Sequence, residues 1–448
     1  MIFGIKKTFL YKVFLYPPFF LFFYSVGLVS FPSFSYLGIV LIPIIMFFSR
    51  SVSLNAKYIL QSSSFWILIF FYFLFFIITT VVSFLHGSGE ANILKTIIHS
   101  LISIPACLAI ASTIFTFSSN DPFSGLLKFL GFLLKLQIFF IIIMLLNASV
   151  RDLIFDLIRS EPQQTRMSVY QGSRGLGVSG SVAYGLATFL STLYFIYFLL
   201  KYIFNRNRFT LIDYVWIGVG AIALLSAGRT AILGVVLLPT AVIAYSIQFR
   251  LITLSSILIR LAFLSAFFTI IFVVLQNFGV LEVPAVQRYV FYVYQPIDLY
   301  FRTGSFEVSS VAALNDMYYY PGDKTFLLGD GKYLSDSGGY YGGVDAGYMR
   351  YLLFGGVFYS LFVYILFCFF CIYIFYIIRG KFKGALWLVL CLFFMSIVFH
   401  YKGNFLFISV YNSKLYFSII FFFILLNKRK NNATNPLCQP SCPIGDFA

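Results

Sequence analysis

Long apolar runs recur along nearly all of the 448-residue chain. A helix of about twenty apolar residues crosses the roughly 30 Å hydrocarbon core of a bilayer. Twelve runs meet or approach that measure: 14–31, 34–48, 64–85, 96–117, 129–147, 181–204, 210–226, 230–248, 252–275, 351–378, 385–400 and 405–426. In lipid each backbone N–H and C=O must be satisfied internally, which runs of this kind achieve as helices. The spacing predicts an all-α polytopic membrane protein, with about 12 transmembrane helices in a domain spanning residues 1–426. Composition agrees. Only 10% of residues are charged, against roughly 25% in a soluble protein. Such a chain cannot cover a folded surface with polar groups, which excludes soluble enzymes, nucleic-acid partners and disordered proteins.

Charge then orients the chain. Lys6, Lys7 and Lys12 precede the first run, and no small-residue cleavage site follows it, so the first span is expected to be uncleaved. With the N-terminus inside, the inner segments hold most of the cations behind the net charge of +16, and only Asp121, Asp213 and Asp446 among the acids. The positive-inside rule then places both termini in the cytoplasm. Lys135 and Arg260 fall within spans. The outer side is nearly neutral and has eight arginines to five lysines.

Outer loops are unequal. Those near 32–33, 86–95, 227–229 and 401–404 are short, whereas 148–180 and 276–350 are long, and long loops are often functional. The first opens on SVRDLIFDLIRS, whose apolar residues recur at helical spacing and predict an amphipathic helix in the membrane interface. The second has turn signals at Pro284, Pro296, Pro321-Gly322, Gly338-Gly339 and Gly342-Gly343, and reads as a small cap of short helices. Residues 427–448 lack periodicity and read as a disordered cytoplasmic tail, so the sequon at Asn432 is not expected to be glycosylated.

The outer arginines are the first candidates for chemistry, because a planar guanidinium matches phosphate oxygens bidentately. Arg174, Arg229, Arg288, Arg302 and Arg350 are candidate ligands for an anionic headgroup; pairing with outer acids or with lipid phosphates is the alternative. Arg229, in SAGRTA between two spans with almost no loop, must lie near the outer interface, where a cation is costly. Arg174 stands in the glycine-rich GSRGLGVSG. Asp345 precedes the tenth span and is either a helix cap or a general base whose pKa burial would raise. Tyr319 and Tyr341, in the Tyr-rich loop, and His400 and Lys402, in HYKGN, could touch substrate. The cysteines read as ordinary thiols: four lie in apolar runs, and Cys438 and Cys442 have no histidine near them. The histidines lack ligand spacing. Neither a metal nor a cofactor is expected, and no nucleotide-binding loop is present.

Twelve spans with large outer loops after the fifth and ninth resemble Wzy-type O-antigen polymerases, in the superfamily that includes the O-antigen ligases and other membrane glycosyltransferases of the GT-C class. GSRGLGVSG, SAGRTAILG, and LLGDG followed by VDAGYMRYLLFGG (Gly329, Asp345, Gly347 and Gly355) carry the resemblance, with Arg302 in FRTGSF a further match. Ligases typically have His where this chain has Asp345. The resemblance implies a bacterial inner-membrane enzyme that joins undecaprenyl-pyrophosphate-linked oligosaccharide units on the periplasmic face. Arg174, Arg229 and Arg302 would hold the pyrophosphate, with Asp345 as base and the tyrosines along the glycan. Membrane lipid and a chain-length regulator are the other implied partners. O-antigen ligase and lipid-linked oligosaccharide flippase are the alternatives.

Overall fold

A computed structural model describes residues 14–29, 33–88, 90–118, 121–160, 163–164, 176–181, 184–205, 207–251, 284–305, 308–335 and 339–434, with isolated positions between 273 and 282. Regular structure in this set is helical, and its sole β feature is a single bridge between Leu334 and Tyr340. In order the helices are α1 (Phe14–Phe23), α2 (Phe34–Phe48), α3 (Arg50–Gln61), α4 (Ser63–Leu85), α5 (Ala91–Ile102), α6 (Ile104–Phe117), α7 (Pro122–Leu146) and α8 (Ala148–Ile158). There follow α9 (Tyr184–Phe204), α10 (Leu211–Ala227), α11 (Ile232–Gln248), α12 (Pro284–Thr303), α13 (Ser309–Asn315), α14 (Asp323–Leu328), α15 (Gly347–Ile378), α16 (Ala385–Lys402) and α17 (Val410–Thr434).

Among the described residues, eight helical stretches are long and apolar enough to cross a membrane, or nine if α2 and α3, bent by 113° at their junction, form one broken span. The shorter α1 and α10 coincide with the first and seventh expected runs. Most of the ninth run, with Arg260, lies outside the described residues. Exposure along the helices separates two faces. On α4 the buried side chains are Phe65, Leu68, Tyr72, Phe75, Thr79 and Ser83, while Trp66, Phe70, Phe73, Ile77, Val81 and Phe84 are exposed. On α15 the exposed stripe is Phe358, Leu361, Ile365, Phe369, Ile372 and Tyr376. Both stripes advance by three or four residues, the spacing of one helical face. Exposed aromatic stripes of this length would be untenable in water and are at home in lipid. The chain is a polytopic α-helical membrane protein.

The centre of the bundle is α9, which is apolar on all sides and buried along nearly its whole length, as such a helix must be. Its partners approach through small residues. A Cβ on Gly234 of α11 would lie 2.5 Å from the Ser191 carbonyl oxygen. Interhelical hydrogen bonds add to this: the hydroxyls of Tyr72 and Ser413 meet at 2.9 Å, and those of Thr79 and Tyr359 at 3.0 Å. Lys201 and Asp213 form a salt bridge where α9 and α10 adjoin. Within the bundle, Lys135 lies over the Trp216 ring, 4.8 Å from its centroid.

Three expectations change. The tail does not begin at 427, because α17 continues to Thr434; its Lys and Arg residues are good helix formers. Residues 435–448 lie outside the described set. In the second long loop Pro284 and Pro296 do not make turns: one opens α12 and the other lies inside it. Proline suits the first helical turn, where its missing N–H has no partner to lose. Finally, the twelfth run, 405–426, carries a cation of its own: Lys414 is wholly buried in α17.

Candidate active site

The second long loop docks into a break in α15. Gly356 has φ 72° and ψ −173°, a conformation open essentially only to glycine. The break costs the carbonyls just before it their helical partners, and the LLGDG segment replaces them. The Asp330 and Gly331 amides donate to the Leu353 and Phe354 oxygens at 2.7 and 2.9 Å. Backbones meet directly here: a Cβ on Gly356 would lie 2.2 Å from the Leu327 oxygen. The Asp330 carboxylate accepts from the Thr325 hydroxyl at 2.8 Å and the Tyr341 hydroxyl at 3.1 Å. Glu90 holds the same loop from the N-cap of α5, its Oε1 accepting from the Tyr333 and Leu334 amides at 3.0 and 3.1 Å.

This docking presents Asp345. The N-cap of α15 is Ala346, and no side chain makes a capping hydrogen bond there, so Asp345 does not act as the helix cap. Its amide donates to Met317 Sδ at 3.3 Å, and the residue is half-buried. Burial pushes its carboxyl above the usual carboxylate pKa, and the positive charges of Arg350 and Lys402 pull it partly back. Tyr184, at the start of α9, adjoins the same carboxylate. Its hydroxyl donates to the carbonyl oxygens of Phe399 and Gly403.

Arg350 is placed between two aromatic rings. The side chain is buried, with its guanidinium carbon 3.7 Å from the Tyr333 ring centroid and 4.0 Å from that of Tyr340. Nη2 also donates to the Tyr333 carbonyl at 3.4 Å. Sandwiched in this way, its positive charge acts on the Asp345 carboxyl. His400 is 0% exposed, surrounded by the rings of Tyr348, Tyr351 and Tyr364, and its Nδ1 accepts from the Phe405 amide at 3.2 Å. Lys402, at the end of α16, stays near Asp345. Tyr319 is exposed beside Gly342, while the Tyr341 hydroxyl is taken by Asp330. Tyr318 stacks on Tyr401 with centroids 4.9 Å apart.

Arg229 occupies a second place. It follows α10 in a short turn, and the long loop covers it. Its Nη2 donates to Gln295 Oε1, its guanidinium carbon lies 4.3 Å from the Tyr292 ring centroid, and its buried Nε has no hydrogen-bond partner among the described residues. Both partners belong to α12, which the Tyr289 hydroxyl fastens to the Ile222 carbonyl at 2.8 Å. Arg302 is exposed and paired with Asp298, one turn away on α12, at 3.0 Å. That is the acid-pairing alternative, realised because Asp and Arg at i and i+4 share a helix face. Arg288 is exposed on α12. Arg174 lies outside the described residues.

Sequence reasoning missed Tyr184, Tyr333 and Asn404, whose Nδ2 donates to the Tyr333 hydroxyl at 3.0 Å. Tyr333 lies two residues after LLGDG, and that proximity was a usable signal. Asn404 closes the HYKGN segment already singled out, whereas Tyr184 had no such signal. Among the described residues no group of three or more His, Cys, Asp or Glu is arranged to hold a metal ion. No family model, curated protein or solved structure matches the chain. Fold and site together define a multi-pass helical membrane protein with a carboxylate and cations gathered at one end of the bundle.

Proposed function

We propose that the chain is a membrane glycosyltransferase of the O-antigen polymerase kind, built on a GT-C-like bundle of about twelve spans. Its long loops face the periplasm and both termini the cytoplasm. One observation carries the reading: a half-buried carboxylate with a raised pKa, Asp345, is set among two cations and several tyrosines where a docked loop meets the helix ends. That combination suits a general base for a sugar hydroxyl at the membrane surface.

In the proposed reaction the acceptor hydroxyl of an incoming lipid-linked unit attacks the anomeric carbon of the growing chain. The new C–O bond forms as the bond from that carbon to the lipid pyrophosphate breaks. The hydroxyl proton passes to the Asp345 carboxylate, and the pyrophosphate leaves with the electron pair. Arg229, with an N–H to spare, is the described candidate for holding the leaving group, and Arg174 is the further candidate from sequence. Tyr319 and Lys402 remain candidates for the glycan.

The test is reconstitution of the purified protein in liposomes with a synthetic undecaprenyl-pyrophosphate-linked repeat unit. Products of two or more units support the polymerase reading. Transfer only when lipid A–core is added would favour a ligase. Movement of the lipid-linked unit between leaflets without new bonds would favour a flippase.

A further inference from the structure

The amphipathic α8 has no buried residue, and Leu153 and Leu157 on it are 60% and 53% exposed. Arg151 at its surface pairs with Asp152. Arg159, the residue immediately after the helix, behaves differently: it is 1% exposed. Its Nε, Nη1 and Nη2 are all buried without a hydrogen-bond partner among the described residues. The guanidinium carbon lies 5.8 Å from the Phe155 ring centroid, and the polar neighbour is Tyr411, at the start of α17.

Tyr411 gathers further donors. Its hydroxyl interacts with those of Ser25 and Ser181. Lys414 Nζ is 5.8 Å from its ring centroid. The lysine donates to the Phe22 carbonyl at 2.8 Å, Ser25 Oγ at 3.0 Å and Ser35 Oγ at 2.6 Å. Lys414 is thus satisfied in hydrogen bonds but not in charge. No carboxylate among the described residues contributes to the electrostatics of either cation. The backbone around them is held tightly: the Gly180 amide donates to the Tyr24 carbonyl at 2.9 Å, and Ser25 has φ 46°.

Burying a cation without a partner is strongly unfavourable, and a guanidinium whose donors are all unused is the costliest form of it. The donor set suits one kind of ligand. A guanidinium fork, hydroxyls and a second positive charge match a tetrahedral oxyanion with several acceptor oxygens. The site also adjoins the end of an amphipathic helix with an exposed apolar face, the kind of helix that lies along a lipid interface. We propose that Arg159, with Tyr411, Ser25, Ser181 and the charge of Lys414, binds a phosphoryl group. The proposal uses neither Asp345 nor Arg229 and does not depend on the polymerase reading.

The experiment uses full-length, delipidated protein in an uncharged detergent and chloride buffer. Thermal stability is titrated with inorganic phosphate in one arm and with phosphatidylglycerol in the other. Wild type is expected to gain Tm in at least one arm. A gain with phosphatidylglycerol alone identifies a lipid headgroup, and a gain with inorganic phosphate shows that the free ion suffices. Arg159→Met is expected to be at least as stable as wild type without anion, because it removes an unpaired buried charge. It should also lose about tenfold or more in apparent affinity, with Arg159→Lys between the two. Failure of wild type to respond in either arm overturns the proposal, as does an equal response from Arg159→Met. So does a marked loss of stability in Arg159→Met without anion, which would make Arg159 a packing residue.

Discussion

Replacing Gly356 by alanine should separate the second long loop from the bundle. At φ 72° and ψ −173° a non-glycine residue costs about 1–3 kcal/mol in backbone strain. The new Cβ would also lie 2.2 Å from the Leu327 oxygen and 2.6 Å from the Leu328 nitrogen. Those are backbone atoms, so relief requires the loop to move away from α15. Movement would sacrifice the bonds from Asp330 and Gly331 to Leu353 and Phe354, each contributing about 0.5–1.5 kcal/mol. The sum is about 2–6 kcal/mol. The assay is thermal denaturation in detergent, with limited proteolysis across residues 308–345 reporting loop release. Gly380→Ala is the control, since nothing lies within 4 Å of a Cβ there. Equal Tm and equal cleavage in the two variants would refute the docking argument.

Other predictions concern the residues the loop positions. Arg302→Ala should leave activity unchanged and shift stability by no more than about 0.5 kcal/mol, because its pair with Asp298 is exposed; a large loss of activity would restore it to the site. Arg350→Lys should destabilise the protein by about 1–3 kcal/mol in denaturation experiments, as an ammonium cannot fill the slot between Tyr333 and Tyr340. Activity should fall as pH drops through the raised pKa of Asp345, so the acid limb of a pH–rate profile lies above the ordinary carboxylate value of 3.8. The same raised pKa makes ionisation in the folded state unfavourable. Its stabilising contribution is therefore complete below 3.8 and lost as pH rises through the folded value. Asp345→Asn should gain Tm relative to wild type from acid to neutral pH.

Hydropathy made the helices legible because lipid imposes one rule on each of them, and α4, α7, α9 and α15 fall close to where the apolar runs put them. Asp345 was legible as a carboxylate at a helix start, but not its pKa, which depends on Arg350 and Lys402 arriving from different helices. The arginines show the limit most clearly. Residue type alone made Arg229, Arg302 and Arg350 equivalent. Packing puts one under α12, one in a surface pair and one between two tyrosine rings. Arg159 lies just past the end of α8, and its burial is visible only in the folded structure. The glycines of LLGDG and of the α15 break carried a clear signal in sequence. Its meaning, one stretch of backbone supplying hydrogen bonds to another far along the chain, appears only when Asp330 N and Leu353 O are seen to bond.

The central claim is that Asp345 removes a proton from an acceptor sugar. Its most direct test compares wild type with Asp345→Asn in liposomes supplied with the undecaprenyl-pyrophosphate-linked unit, following chain extension by gel or mass spectrometry. The account predicts extension by wild type and a loss of about 10²–10⁴-fold in the variant, with Tm at neutral pH unchanged or higher. Extension by Asp345→Asn at the wild-type rate would contradict it.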